Sequence, residues 1–148
     1  MPRIEFGGGF YIYHFTNGFV VTYDVDNGSI CIFRKGVDLA EQKVGSVTNS
    51  RERRKMAIQF FKDNCHKFRI NPNTVKFDYE EIWFFAEDPY GIYACIITSV
   101  TQLKSGGIKV HVGKGADAMG VFPDVNITSS REVRKIALDC CKKYLKIK

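Results

Sequence analysis

The chain has 148 residues, 45% of them hydrophobic and 26% charged, and its formal net charge is +6 at pH 7. This length and composition are typical of one globular domain with a substantial core, and they exclude an intrinsically disordered chain. The sequence has no apolar stretch of the roughly 20 residues that a membrane-spanning helix needs, and its N-terminus does not resemble a signal peptide. We therefore expect an intracellular protein, cytoplasmic or nuclear, without a membrane partner.

Three short segments in the first half of the chain predict β-strands. They span residues 10–15, 19–23 and 29–34, and they are rich in aromatic and β-branched side chains. The turns between them contain Asn17-Gly18 and Asn27-Gly28, a pair of residues that readily adopts positive φ. Residues 44–47 are a candidate fourth strand, and a helix is predicted within residues 47–68, before the break at Pro72.

The second half of the chain repeats this order of predicted elements. Strands are predicted at residues 82–85, 92–97 and 108–112, with a turn at 88–91 and a longer hairpin between 101 and 107. Residues 120–122 are a candidate fourth strand, and a helix is predicted over residues 127–147.

A near-identical segment opens both predicted helices. Residues 47–57 and 127–137 share seven of eleven identities at a separation of eighty residues, the sign of a duplicated supersecondary unit. We therefore expect an α+β fold built from two tandem repeats, residues 4–70 and 77–148. Each repeat would contain three or four antiparallel strands followed by one helix, and the two would pack as one pseudo-symmetric domain of residues 1–148.

Capping and periodicity support the two helices. Asn49 and Ser129 precede Glu52 and Glu132 by three residues, the spacing of a capping box. Apolar residues recur at steps of three and four along both segments, which predicts one buried stripe on each helix. In the first helix, Arg53 occupies the stripe position that Val133 has in the second.

The positive charge of the chain is concentrated in these two helices. Residues 50–68 carry +4 and residues 130–148 carry +5, so the remaining residues carry −3. The recurring bases are predicted on the side opposite the apolar stripe, and they are Arg51, Arg54, Lys55, Arg131, Arg134 and Lys135. Such surfaces suit an anionic partner, nucleic acid foremost, although a solvated outer helix face has the same pattern.

The strands offer a second candidate surface. Tyr11, Tyr13 and Phe15 alternate along the first strand, and Trp83 and Phe85 do so in the second half. Exposed rings of this kind stack on unpaired bases, whereas buried ones belong to the core. The bases Arg34, Lys35 and Lys114 lie at the ends of matching strands and are further candidate phosphate contacts.

The sequence predicts no catalytic, metal or cofactor site, so we do not expect an enzyme. His14, His66 and His111 have no ligand spacing and no recurrent nucleophile or carboxylate nearby. An odd number of cysteines without CxxC spacing favours reduced thiols in the core. They are Cys31, Cys65, Cys95, Cys140 and Cys141.

Two units of antiparallel strands followed by a helix, in a basic chain, resemble the purine-rich-element-binding (PUR) repeat proteins and the Whirly proteins. The resemblance covers nearly the whole chain as architecture, and it implies two packed sheet-then-helix units that bind single-stranded DNA or RNA. The Lys-Gly-Lys-Ala signature of Whirly proteins is absent, and residues 113–116 match it only in part.

Two functions remain open at the level of sequence. The first is a non-catalytic nucleic-acid-binding domain, with single strands favoured; the second is a protein-interaction or scaffold subunit that docks another protein or a second copy through its sheet face or edge. Basic helix faces and strand rings on one side of the molecule would favour nucleic acid. Buried rings, with the helix bases pointing to opposite sides of the molecule, would favour a protein partner.

Overall fold

The computed structural model describes residues 4–7, 9–87, 95–113 and 120–146. These residues form an α+β structure with eight strands and two α-helices, which confirms the predicted class. The strands are hydrogen-bonded in the order β4-β3-β2-β1-β5-β6-β7-β8. No helix within the described ranges is long and apolar enough to cross a membrane.

The elements follow one another as four strands and a helix, twice. The first set is β1 (Gly9–Phe15), β2 (Phe19–Asp24), β3 (Ser29–Arg34), β4 (Val37–Lys43) and α1 (Ser50–Asn64). The second set is β5 (Phe77–Ala86), β6 (Ile96–Gln102), β7 (Ile108–Val112), β8 (Gly120–Phe122) and α2 (Ser130–Tyr144). The chain divides into two compact units, an N-terminal unit of Phe10–Glu80 and a C-terminal unit of Glu81–Lys148 with Met1–Gly9.

The core of the N-terminal unit lies between α1 and one face of its antiparallel strands. Tyr13 is paired with Val21, and Val21 with Ile32, so these buried side chains lie on the same face of the sheet. Phe61 of α1 packs on that face, with its ring centroid 4.7 Å from that of Phe15. Phe61 is 1% exposed, which confirms its predicted burial.

The C-terminal unit buries one face of its sheet under α2. Val100 and Val110 are paired across β6 and β7, and both are fully buried. Helix α2 packs against these two strands, and Val133, Ala137 and Cys141 of its apolar stripe are fully buried. The stripe predicted from three- and four-residue spacing is therefore confirmed on α2.

The predicted fourth strand of the first half is wrong. The strand is β4, and the chain turns away before residues 44–47, where the amides of Val44 and Gly45 both donate to Gly28 O. Most of β4 is exposed, because it pairs with β3 on one side only and ends the sheet. An edge strand of this kind needs no buried apolar alternation, so the sequence lacks the usual strand pattern there.

Five strands match their predicted positions closely and two differ; β1 begins one residue earlier than predicted and β2 ends one residue later. β3, β7 and β8 have the predicted bounds. β5 is longer than predicted and β6 lies further along the chain, extending through Thr101 and Gln102, which were expected in a hairpin. The predicted turn at 88–91 and the start of the strand at 92–97 lie outside the described residues.

Both predicted helices are present, but only one has the predicted cap. Asn49 Oδ1 accepts hydrogen bonds from the amides of Arg51 and Glu52, at 3.0 and 3.1 Å. Ser129 makes no side-chain capping bond, because its backbone has a ψ of 74° instead of the extended conformation of an N-cap. α1 ends at Asn64 and continues as a 3₁₀ turn, Cys65–Phe68, which Arg69 terminates at a φ of 58°.

Candidate binding surfaces

Four of the six recurring helix bases lie on the outer faces of the helices. Arg51 and Lys55 are exposed on α1, and Arg131 and Lys135 are exposed at the equivalent positions of α2. Within each pair the spacing is four residues, which places both cations on one side of the helix about 6 Å apart along its axis. In the described part of the chain, these four side chains form no ion pair or hydrogen bond.

Arg54 was predicted to point away from the sheet, and this prediction is wrong. Its guanidinium forms an ion pair with the buried carboxylate of Glu80, and its Cζ lies 5.2 Å from the ring centroid of Phe77. An arginine that pairs with a carboxylate and lies over an aromatic ring of the same chain stabilises the fold. Arg54 is therefore a structural residue of the N-terminal unit rather than an outward-facing cation.

Arg134 is exposed but is also bound locally. Its Nη2 donates to Phe6 O at 2.8 Å, and its Cζ lies 5.8 Å from the rings of Phe6 and Phe84. The Phe6 and Phe84 rings are stacked, with centroids 4.8 Å apart. Arg134 thus fastens the N-terminal segment to α2, which the sequence did not predict.

Arg53 is a buried cation that the sequence placed in the apolar stripe without a role. Its Nη1 donates to Thr48 O at 2.7 Å, and its Nη2 donates to Ser50 Oγ at 3.1 Å. Its Cζ lies 3.8 Å from the centroid of the Tyr11 ring. Tyr11 is half-buried, and this guanidinium covers one face of its ring, so that face is closed to a stacking base.

Tyr13 is also not an exposed ring, because it is 1% exposed in the core. Burial, followed by the nearby charge of Glu80, raises the pKa of its hydroxyl. Burial also raises the pKa of Glu80, while the hydrogen bond and charge of Arg54 and the charge of Arg53 oppose this increase. Sequence reasoning missed Glu80, because its partner Arg54 was predicted on the outer face of the helix.

The candidate bases at the strand ends have separate environments. Arg34 is exposed and lies over the Phe19 ring, with its Cζ 4.6 Å from the centroid. Lys35 is exposed in the turn after β3, at a φ of 53°. Lys114 lies outside the described residues.

Trp83 and Phe85 lie on the face of the C-terminal sheet that is turned away from α2. Along β5, Ile82 and Phe84 are buried, whereas Trp83 is half-buried and Phe85 is 36% exposed. Trp83 Nε1 donates to Glu81 Oε2 at 2.6 Å, which orients the indole, and the Phe85 ring meets the indole edge-on. Of the three rings predicted for stacking, only Trp83 has an accessible position.

Cross-strand pairing defines the rest of this face. Trp83 is opposite Ser99, which is opposite His111, and Glu81 is opposite Thr101, which is opposite Lys109. Side chains on directly opposite residues share one face of a sheet. We call this surface the ring face, and it consists of Glu81, Trp83, Phe85, Ile97, Lys109 and His111, with Ser99 and Thr101 between them.

The ring face and the helix bases of the C-terminal unit lie on opposite sides of its sheet. α2 covers one face, with Arg131 and Lys135 directed outward, and the ring face is the other. The ring face also has little net charge, since Lys109 is balanced by Glu81. Within the C-terminal unit, the structure therefore does not bring Trp83 and the helix bases into one site.

The cysteines only partly follow the prediction of core packing. Cys65, Cys140 and Cys141 are buried, as expected, whereas Cys31 is half-buried and Cys95 is exposed. Burial raises the pKa of each buried thiol. These groups are packing side chains rather than candidate nucleophiles, because the thiolate is the reactive form.

One group of side chains has the spacing of metal ligands. The ligand atoms of Cys31, Asp38 and Glu41 lie within 4.8 Å of one another on β3 and β4. Burial, with repulsion from Glu41 and Asp38, raises the pKa of Cys31 to about 11, so the thiol keeps its proton at neutral pH. A protonated thiol is a poor metal ligand.

Comparison with known proteins does not identify the chain: no family model, curated protein or solved structure matches it.

Proposed function

We propose that the chain is a non-catalytic interaction module that docks a protein partner on the ring face. The observation that supports this function is the position of Trp83 and Phe85 on a nearly uncharged sheet face, on the side opposite the bases of α2. Tryptophan and tyrosine anchors dominate protein interfaces, whereas sheets that bind single strands surround their rings with cations. Lys109, offset by Glu81, does not provide that surrounding charge.

The docking proposal is tested with a library of short random peptides displayed on phage. Peptides selected on the wild-type protein should bind at least about tenfold more weakly to a Trp83→Ala/Phe85→Ala variant, a loss of about 1.4 kcal/mol. The matched control is Val37→Ala/Leu39→Ala, which removes two exposed apolar side chains from β4 and should leave binding unchanged. The proposal would be contradicted if no peptides were selected, or if the selected peptides bound the ring-face variant as tightly as the wild type.

A second function, binding of single-stranded nucleic acid by the helix bases, is favoured by a separate observation. Two recurring positions of the duplicated segment have a structural role: Ala57 and Ala137 pack in the cores, and Arg54 and Arg134 are bound locally. Arg51, Lys55, Arg131 and Lys135 recur without such a role in the described structure. Exposed cations in this repeated arrangement suit phosphate groups.

This second function is tested by replacing those four bases with glutamine. Binding of a labelled mixed-sequence oligonucleotide at low salt should weaken strongly in the quadruple variant. A control with the same loss of charge replaces the exposed bases Lys43, Arg69, Lys76 and Lys104, and it should bind far better than the helix variant. Equal losses in both variants would show a nonspecific effect of net charge and would remove the helix faces from the proposal.

The finer architecture is part of the proposal. The order of four strands and a helix, occurring twice, supports two duplicated units related by pseudo-symmetry, as in the PUR-repeat and Whirly resemblance. Superposition of the two units in an experimental structure should bring Arg51 onto Arg131 and Ala57 onto Ala137.

A further inference from the structure

We propose that the protein partner of the ring face is a second copy of the same chain, so that two C-terminal units pack face to face as a two-fold dimer. This inference rests on the proposed docking function and names its occupant. The order of charges and rings across β5, β6 and β7 supports such a dimer.

The ring face has an acid and a base on opposite sides of its central strand. Glu81 on β5 is paired with Thr101 on β6, and Thr101 is paired with Lys109 on β7. Neighbouring strands are about 4.8 Å apart, so the carboxylate and the ammonium flank β6 at a strand separation of about 10 Å. The next row has the same form, with Trp83 and His111 on either side of Ser99.

This order makes the face complementary to itself. A two-fold axis that runs along β6, midway between two facing sheets, exchanges the β5 side of one copy with the β7 side of the other. Glu81 of each copy then lies opposite Lys109 of its mate, and each indole lies opposite an imidazole. Thr101 and Ser99 meet their own counterparts near the axis.

The same arrangement accounts for the apolar part of the face. Packed sheets lie about 10 Å apart, a distance that side chains from both sheets fill. Trp83, Phe85 and Ile97 would supply the apolar part of the contact, with the two Glu81–Lys109 pairs at one end of it along the strands. An unrelated polyanion would meet one base and one acid on this face, and so would gain no net attraction.

The proposal is tested by measuring molecular mass against concentration, by sedimentation equilibrium, with three variants. Glu81→Lys and Lys109→Glu each place like charges opposite one another, so each should raise the dimer dissociation constant at least about tenfold. An equimolar mixture of these two variants restores both ion pairs and should form heterodimers. Thr101→Arg, at the axis, should prevent dimerisation without altering Glu81 or Trp83, and circular dichroism would show that each variant is folded.

The outcomes separate this inference from the docking function. A wild-type protein that stays monomeric at millimolar concentration, or a mixture of the charge variants that does not associate, would overturn the dimer. If phage-displayed peptides still require Trp83 and Phe85 in that case, the docking function stands with a different protein partner. If they do not, both proposals fail.

Discussion

Arginines in near-identical sequence contexts have different tasks in this protein. Arg51 and Arg131 are exposed, while three residues later Arg54 pairs with Glu80 and Arg134 binds Phe6 O. Helical geometry explains the difference, because a shift of three residues rotates a side chain from the outer face toward the flank of the helix, where a long arginine reaches the sheet. Repetition in sequence therefore identifies recurring positions without fixing what each one contacts.

The buried Glu80 makes stability depend on pH in a specific direction. Burial raises the pKa of this carboxyl above its ordinary value of 4.5, so the folded protein binds the proton more tightly than the unfolded chain. The contribution of Glu80 to the free energy of unfolding is then fully present below pH 4.5 and is lost as the pH rises through the raised value. Glu80→Gln cannot titrate, so the stability of the wild type relative to this variant should fall as the pH rises above 4.5.

This pH effect is measured by urea unfolding of both proteins over a series of pH values. A relative stability that increases with pH would contradict the expectation. It would mean that the charge of Arg54 lowers the pKa of Glu80 by more than burial raises it.

At the scale of elements, the sequence predicted the strands and helices in which apolar residues recur regularly because one face is buried. β3, β7 and both helices alternate or repeat apolar residues because one side of each faces a core. β4 could not be found in this way, since an edge strand with mostly exposed side chains carries no such pattern. β6 was misplaced because Thr98, a fully buried polar residue, interrupts its apolar alternation.

The two helix starts should respond differently to loss of the capping side chain. Asn49→Ala removes a side chain that accepts hydrogen bonds from two orphan amides, so it should cost about 1 kcal/mol of stability. Ser129→Ala removes no capping bond from α2 and should cost less than about 0.5 kcal/mol. Urea unfolding measures both losses, and equal losses would mean that Ser129 caps its helix in solution.

The packing of α1 is tested by truncating its central ring. Phe61 lies between Phe15 and Phe19, with ring centroids at 4.7 and 5.1 Å, so Phe61→Ala should leave a cavity and cost about 3–5 kcal/mol. The control Ile58→Ala changes a half-buried neighbour on the same helix and should cost less. A loss below about 1 kcal/mol for Phe61→Ala would contradict the assignment of the buried helix face.

At the scale of the whole molecule, the sequence predicted the exposure of the charged candidate residues better than it predicted the arrangement of the aromatic ones. The concentration of positive charge in the helices follows from composition alone, and five of the six recurring bases are exposed as expected, with Arg54 half-buried. The burial of Tyr13 agrees with the alternative that the strand rings belong to the core, which alternation alone could not decide because it does not reveal which face a helix covers. The self-complementary ring face depends on strand register, which a single sequence does not specify.

We expect different partners to bind opposite sides of the C-terminal unit. The single tryptophan of the chain allows this expectation to be tested directly. A labelled single-stranded oligonucleotide is titrated with protein kept dilute enough to remain monomeric, while its anisotropy and the emission of Trp83 are both followed. Binding should weaken with salt by about 0.7 log units per log unit of salt for each phosphate contact, so loss of the four helix bases should reduce the slope by about 2.8. Trp83 emission should stay constant throughout. Quenching of Trp83 on binding, with a salt slope that the four substitutions leave unchanged, would contradict the account and place the nucleic acid on the ring face.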